Sequence, residues 1–218
     1  MQPYKKLYSK RHNNVILRVV PGHFVTPNSH INYFFDMTAI MRRQSEAKAC
    51  AELLSEYFSA STVVDTIVCL DGMDVIGAYL AEELTQAGIL SKNAHKTMYV
   101  VSPEYDMTGQ MIFRENLKMM IRDKNVLLIA ASTTTGHTIK RAIDCVDYYG
   151  GTVVGAASIF SAVNKIFDVP IYSIFNLSDV PDYGTYKHEN CPMCKARQKV
   201  DAIANGFGYS VLPCAVCL

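Results

Sequence analysis

One stretch of the chain decides the fold: Val126-Leu127-Leu128-Ile129-Ala130-Ala131-Ser132-Thr133-Thr134-Thr135-Gly136-His137-Thr138. Its opening run of aliphatic residues is typical of a buried parallel strand. Apolar residues at helical spacing over 138–149 predict a helix behind it, which Gly150-Gly151 ends. The small polar residues between strand and helix therefore lie at a helix N-terminus.

A phosphate group fits this position. Free backbone N–H groups and the positive end of the helix dipole favour an anion there, and side-chain hydroxyls add donors. The glycine allows the backbone to come close to the anion. The predicted phosphate-binding residues are Ser132, Thr133, Thr134, Thr135, Gly136, His137 and Thr138. An ordinary strand-to-helix turn capped by threonine explains the same residues, and the local sequence leaves both interpretations open.

Strand and helix patterns alternate on both sides of this stretch. Helical periodicity covers 43–58 and 75–87, and strand-like runs cover 63–70, 98–101, 152–161 and 171–177. This order predicts an α/β fold with a doubly wound, mostly parallel sheet and helices on both faces. Ligands of such sheets bind at the carboxyl ends of the strands, so the loops that leave those ends should meet at one site.

Composition excludes several classes of function. The 218 residues carry 21 Lys and Arg against 20 Asp and Glu, a net charge of +1, and half of them are hydrophobic. This balance gives no strong field that would draw nucleic acid or an anionic membrane surface. The chain contains no apolar run of transmembrane length, and no signal-peptide pattern follows the basic start. We therefore expect a cytoplasmic protein without nucleic-acid or membrane partners.

Four of the seven cysteines are paired near the C-terminus, namely Cys191, Cys194, Cys214 and Cys217. Their C-x2-C-x19-C-x2-C spacing fits a structural, tetrahedral Zn²⁺ site, and a reducing compartment disfavours disulfides. His188 is a substitute ligand if one cysteine does not bind. The alternative, that one pair is incidental and the tail holds no metal, stays open. The single cysteines at 50, 69 and 145 are expected to be buried thiols.

The segment Thr134-Thr135-Gly136-His137-Thr138 resembles the loop of the type I phosphoribosyltransferases that holds the 5-phosphate of phosphoribosyl pyrophosphate. In that family two acidic residues precede the loop and bind the ribose hydroxyls. Here those positions hold Ala130 and Ala131, whose methyl groups cannot do so. The resemblance therefore implies a phosphate site without its usual sugar contacts.

Other segments resemble the orotate phosphoribosyltransferases in particular. Tyr33, Phe34 and Phe35 match the aromatic part of the base pocket, although Thr26-Pro27-Asn28 replaces the preceding Lys-Ser-Gly. The loop Asp71-Gly72-Met73-Asp74 lies where the family binds pyrophosphate and its accompanying Mg²⁺. The segment 102–110 lies where the family has a flexible catalytic loop, but it lacks the basic residues of that loop.

The resemblance implies three parts: an N-terminal segment and hood over 1–42, an α/β core over 43–180 and a cysteine-rich tail over 181–218. It also implies a homodimer and a pentosyltransferase reaction, in which a base attacks the anomeric carbon as pyrophosphate leaves. Positioning and charge stabilisation would carry that reaction. The missing carboxylates and cations favour a different class of protein, a non-catalytic ribose-phosphate or nucleotide-binding regulator. Both functions remain open from the sequence, and so does the identity of the base.

Overall fold

A computed structural model describes residues 4–86, 91–94, 97–205 and 208–212. The described strands are, in chain order, β1 (Lys5–Tyr8), β2 (Ile16–Val25), β3 (His30–Asp36), β4 (Thr66–Cys69), β5 (Tyr99–Val101), β6 (Glu104–Tyr105), β7 (Met111–Ile112), β8 (Asn125–Thr133), β9 (Thr152–Ser161), β10 (Lys165–Ile166), β11 (Val169–Asn176), β12 (Thr185–Tyr186), β13 (Ala202–Asn205) and β14 (Gly208–Val211). The described α-helices are α1 (Thr38–Arg42), α2 (Gln44–Ser55), α3 (Asp74–Gln86), α4 (Glu115–Lys118), α5 (His137–Tyr148) and α6 (Pro192–Lys195). No helix in the described part of the chain has both the length and the apolar composition of a membrane span.

The central sheet has the strand order β10-β11-β9-β8-β4-β5. Every neighbouring pair in it is parallel except β10 with β11, which is antiparallel. The doubly wound, mostly parallel sheet predicted from the sequence is therefore confirmed. Strand β8, which the aliphatic run 126–129 predicted, lies inside the sheet between β9 and β4.

Helices cover both faces of this sheet. Along β8, Leu127 and Ile129 belong to the core cluster that also contains the apolar residues of α2 and α3. Leu128 and Ala130 point the other way, into the cluster that contains the apolar stripe of α5. Because successive side chains of a strand alternate between faces, a strand buried on both faces must be apolar at every position. This requirement explains the uninterrupted aliphatic run.

The two ends of the chain form a second sheet, which we call the hood sheet. Its strand order is β12-β3-β2-β13-β14, and β1 pairs with the outer part of β2. Strand β13, from the C-terminal part of the chain, runs parallel to β2 from the N-terminal part. Residues 1–42 and 181–218 thus contribute described strands to one sheet, and the division of the chain into three parts stays a prediction.

A buried ion pair attaches the hood sheet to the core. The guanidinium of Arg18 on β2 donates to both carboxylate oxygens of Glu46 on α2, at 2.9 and 3.0 Å. This bidentate hydrogen bonding raises the pKa of Arg18. The pair joins β2 of the hood sheet to α2, which packs on the central sheet.

Candidate functional site

A cavity of about 290 Å³ lies between the hood sheet and the loop that follows β8. One wall is formed by the end of β8 and the start of α5, with Ala131, Ser132, Thr134, Thr135, His137 and Thr138. The opposite wall is formed by the β2–β3 turn and by the strands of the hood sheet. The carboxyl end of β8 therefore contributes to a cavity, as the rule for parallel sheets predicts.

Strand β8 continues to Thr133, further than the sequence predicted. Ser132 and Thr134 lie on the cavity wall, whereas Thr133 between them does not. Thr133 is only 3% exposed, and its hydroxyl has no hydrogen-bond partner among the described residues. Phosphate contact was predicted for Thr133, but its side chain does not line the cavity.

Gly136 is the N-cap of α5, with a φ of +78°. A Cβ atom at this position would lie 2.1 Å from Cδ1 of Ile166, so the neighbouring strand β10 occupies the space that a side chain would need. The glycine is thus required by its left-handed backbone and by close packing, and it does not line the cavity. Glycine has no side-chain acceptor, so α5 is not capped by a threonine hydroxyl. The first backbone N–H groups of α5 therefore lack an intrahelical partner.

The two alanines that replace the acidic pair face opposite sides of β8. Ala131 lines the cavity, while Ala130 is 0% exposed and packs in the apolar cluster under α5. A carboxylate at 131 would reach the cavity, whereas one at 130 would be buried among aliphatic side chains. The missing polar contact is therefore confined to one position on this wall.

Of the predicted pyrophosphate and Mg²⁺ loop, Asp71 alone lines the cavity. Its φ is +54°, in a region that non-glycine residues seldom occupy, and Gly72 follows with a φ of +79°. Burial raises the pKa of the Asp71 carboxyl. Met73 is buried in the core, and the carboxylate of Asp74 accepts a hydrogen bond from the hydroxyl of Ser102. Strained backbone and a desolvated carboxylate together mark Asp71 as a functional candidate.

The predicted base pocket is brought together in part. Phe34 and Phe35 line the cavity, whereas Tyr33 packs against the main core without lining it. The ring of Phe35 lies 4.3 Å from that of Phe160 and 5.0 Å from that of Tyr183, measured between centroids. Burial raises the pKa of Tyr183 to about 12, so its hydroxyl stays neutral on the cavity wall. The Thr26-Pro27-Asn28 segment lines the cavity as well.

The segment 102–110 forms most of a hairpin of β6 and β7 that does not line the cavity. The Asp106 carboxylate closes its turn by accepting hydrogen bonds from the backbone N–H groups of Thr108 and Gln110, both at 2.8 Å. Arg114 at its base pairs with Glu104 at 2.7 Å, so this cation is neutralised. The segment nevertheless begins beside the 71–74 loop, because the hydroxyl of Ser102 donates to the Asp74 carboxylate. Burial raises the pKa of Tyr105 in the hairpin, and the Asp71 charge adds to this effect.

One cation near the site was missed from the sequence. Nη2 of Arg42, at the end of α1, lies 3.6 Å from the point where a Cβ on Gly72 would be. It comes to the Asp71 loop from about thirty residues earlier in the chain. No local motif marks it, because the folding of α1 against the central sheet creates the proximity.

A second group of chemically active side chains lies within the hood sheet. Ligand atoms of His23, His30, Cys191 and Cys194 all lie within 4.8 Å of one another. Burial and the neighbouring histidines lower the pKa of His30, which favours its neutral form. The predicted substitute ligand His188 contacts the outer nitrogen of His30 at 3.4 Å but is not one of the four. Cys214 and Cys217 lie outside the described residues, so the four-cysteine zinc site stays a prediction.

Comparison with known proteins finds relatives of this chain by sequence. No family model matches the chain. An orotate phosphoribosyltransferase of Thermus thermophilus is 26% identical over 180 residues, which cover 81% of this chain and 89% of that protein. The orotate phosphoribosyltransferase of Carboxydothermus hydrogenoformans is 27% identical over 179 residues, covering 81% and 85%.

The fold agrees with these relatives. The crystal structure of orotate phosphoribosyltransferase from Aeropyrum pernix superposes with a TM-score of 0.52 at 20% identity, covering 74% of this chain and 89% of that one. The alanines at 130 and 131 distinguish this chain from the family pattern described above. The chain is therefore similar in sequence to orotate phosphoribosyltransferases, and its fold is that of the type I phosphoribosyltransferases.

Proposed function

We propose that this chain is a phosphoribosyltransferase-like protein that binds phosphoribosyl pyrophosphate with Mg²⁺, or a nucleotide by its 5-phosphate, in the cavity under the hood sheet. The observation that carries the proposal is that one cavity has a wall of hydroxyl groups at a helix N-terminus and aromatic side chains elsewhere in its lining. The N-terminus of α5 and the hydroxyls of Thr134, Thr135 and Thr138 form one wall. Phe34 and Phe35 belong to the aromatic part of the lining. A phosphate binds the first wall, and a flat base or ribose packs against the aromatic rings.

Asp71 is the residue that would hold Mg²⁺. Its carboxylate is a hard oxygen ligand on the cavity wall, and it forms no ion pair within the described part of the chain. When bound, the cation would offset the negative charge of pyrophosphate. Arg42, beside Gly72, adds a positive charge at the same loop.

We further infer that transfer is slow or absent and that the protein acts as a binding regulator. Ala131 on the cavity wall supports this inference, because it cannot hold a ribose hydroxyl. The hairpin beside the site supports it too, since its acidic residues replace the cations that would stabilise departing pyrophosphate. Each missing charged contact costs about 1.5–3 kcal/mol. Binding by phosphate can survive such losses more easily than turnover.

Calorimetry with phosphoribosyl pyrophosphate in Mg²⁺ tests the binding proposal. Thr134→Val keeps the shape of the side chain but removes a hydroxyl from the wall. We expect affinity to fall about 10- to 100-fold, the loss of one hydrogen bond to a charged group. Thr133→Val is the matched control, because this hydroxyl is buried away from the cavity and has no partner in the described structure. It should leave affinity unchanged. Absence of binding by the wild type, or equal affinity of both variants and the wild type, would contradict the site.

Pyrophosphate release separates the two functions. The wild-type chain should be assayed with orotate, other pyrimidines and adenine as acceptors. Binding without release supports the regulator. Release at an ordinary enzymatic rate of about 1–1000 per second would refute slow transfer and establish a pentosyltransferase.

Family resemblance also supports two further proposals, a homodimer and a cytoplasmic location. Sedimentation equilibrium would test the first, and cell fractionation the second. A monomer at micromolar concentration, or recovery with membranes, would contradict them.

A further inference from the structure

We infer that His23, His30, Cys191 and Cys194 bind one structural Zn²⁺ ion inside the hood sheet. Two imidazole nitrogens and two sulfurs are a ligand set that tetrahedral zinc takes in proteins. The four residues come from three separate places: β2, β3 and the turn that begins α6. His23, His30 and Cys191 are buried and Cys194 is half-buried, so the site is closed as structural zinc sites are.

Four of the six distances between the ligand atoms are close to the edge lengths of a zinc tetrahedron. Zinc bonds of 2.0–2.1 Å to nitrogen and 2.3 Å to sulfur imply edges of about 3.3 Å between nitrogens and about 3.5 Å between nitrogen and sulfur. Nε2 of His23 lies 3.0 Å from Nδ1 of His30. The sulfur of Cys194 lies 3.6 Å from the first nitrogen and 3.3 Å from the second. The sulfur of Cys191 lies 3.7 Å from Nε2 of His23.

Hydrogen bonding alone does not account for this convergence. Nδ1 of His23 lies 3.0 Å from the carbonyl oxygen of Gln198, which can only accept, so Nδ1 carries the proton. Nε2 of a neutral His23 therefore has one lone pair. Three groups surround that lone pair, and it can accept a hydrogen bond from only one of them. A cation at the centre uses all four donor atoms at once, and the Gln198 carbonyl fixes the ring from outside as zinc sites require.

Local sequence explains how the ligands are aimed. The pairing of β2 with β3 shifts register between Pro21 and Phe24, and the extra residue of this bulge turns His23 into the interior. Cys191 and Cys194 are three residues apart at a helical turn, which places both sulfurs on one side. Arg197 then has a left-handed backbone, with a φ of +55°. The carbonyl of the next residue, Gln198, lies against His23.

The ion would fix one wall of the cavity. His23 and His30 flank the turn Thr26–Ser29, which lines the cavity. On the other side, the Asp201 carboxylate accepts a hydrogen bond from the backbone N–H of His23 at 2.8 Å, and β13 begins at the next residue. Ala204 of β13 also lines the cavity. The zinc site would thus join the N-terminal and C-terminal parts of the hood sheet next to the segments that line the cavity.

Zinc content of the full chain, purified without chelator, tests the inference. We expect about one zinc per chain in the wild type, and the same content in Cys214→Ala/Cys217→Ala. Cys194→Ala should lose most of the metal. Cys145→Ala is the matched control, because Cys145 is also half-buried but lies outside the group. A wild type without zinc, or loss of zinc in the Cys214/Cys217 double variant, would overturn the proposed ligand set, and the second result would favour four cysteines.

Two measurements on folded protein keep the test decisive if Cys194→Ala does not fold. Cobalt substituted into the wild type should give a tetrahedral absorption spectrum with thiolate charge transfer, unchanged in the Cys214/Cys217 double variant. Chelation of the wild type should speed amide hydrogen exchange over 24–29 and 199–205 more than over β8. Octahedral cobalt, or equal exchange with and without the chelator, would overturn the structural role.

Discussion

Gly136→Ala isolates the packing that holds the phosphate loop in place. The new methyl group would meet Cδ1 of Ile166 at 2.1 Å and Cγ1 at 2.9 Å, in a backbone with a φ of +78°. Left-handed backbone costs an alanine about 1–2 kcal/mol, and overpacking adds about 1–3 kcal/mol. We therefore expect the variant to lose about 2–5 kcal/mol of its free energy of unfolding.

Gly150→Ala is the matched control, because its φ of +80° is the same while its new methyl group would lie 3.7 Å from Cγ of Arg122, an ordinary contact. It should lose only about 1–2 kcal/mol. Urea denaturation measures both losses. In a double-mutant cycle, Ile166→Ala should relieve the clash, with a coupling energy of about 1–3 kcal/mol between 136 and 166. Equal losses in the two glycine variants, with no coupling, would refute the close packing.

Two further predictions concern carboxylates at the cavity. Asp71→Asn should raise the melting temperature at pH 7 and lose this gain as the pH falls to about 4. Burial raises the folded pKa of Asp71 above its unfolded value, so the unfavourable contribution of its charge is complete above the folded pKa, falls between the two pKa values and is absent below the unfolded one. The exposed Asp123, which has a φ of +58°, is the matched control, and an equal gain in thermal melts of Asp123→Asn would contradict the assignment. Ala131→Asp should tighten phosphoribosyl pyrophosphate binding in Mg²⁺ by about 10- to 100-fold in calorimetry, whereas Ala130→Asp should chiefly lower stability, because this position is 0% exposed in an apolar cluster. Unchanged affinity of Ala131→Asp would show that position 131 does not face the ribose.

The sequence predicted what depends on local pattern and on general rules of sheet topology. Aliphatic runs predicted the parallel strands, and the rule for strand ends brought the loops after β4 and β8 to one cavity. The sequence did not show which side chains face that cavity. Strand β8 ends at Thr133, later than the aliphatic run suggested, and Ser132 and Thr134 line the wall while Thr133 between them does not.

The sequence could not predict contacts between distant segments. His23 and the C-x2-C pair are 168 and 171 residues apart, and they meet because both chain ends share the hood sheet. A pair of histidines seven residues apart, on either side of a turn with proline and asparagine, was the available signal. Cysteine spacing pointed to the other pair, Cys214 and Cys217, because spacing motifs describe ligands that are close in sequence.

The charges around the cavity favour joint binding of the sugar phosphate and its cation. Among the described lining residues there is one carboxylate, Asp71, and there is no lysine or arginine. A free pyrophosphate would meet a half-buried negative charge there, with Arg42 near the loop as a source of compensation. In the proposed binding mode Mg²⁺ would reverse this balance, because it would bind oxygen ligands of both Asp71 and pyrophosphate. The 5-phosphate would depend less on the cation, since the N-terminus of α5 and neutral hydroxyls would receive it. We therefore expect the 5-phosphate to bind without metal and pyrophosphate to bind only with Mg²⁺.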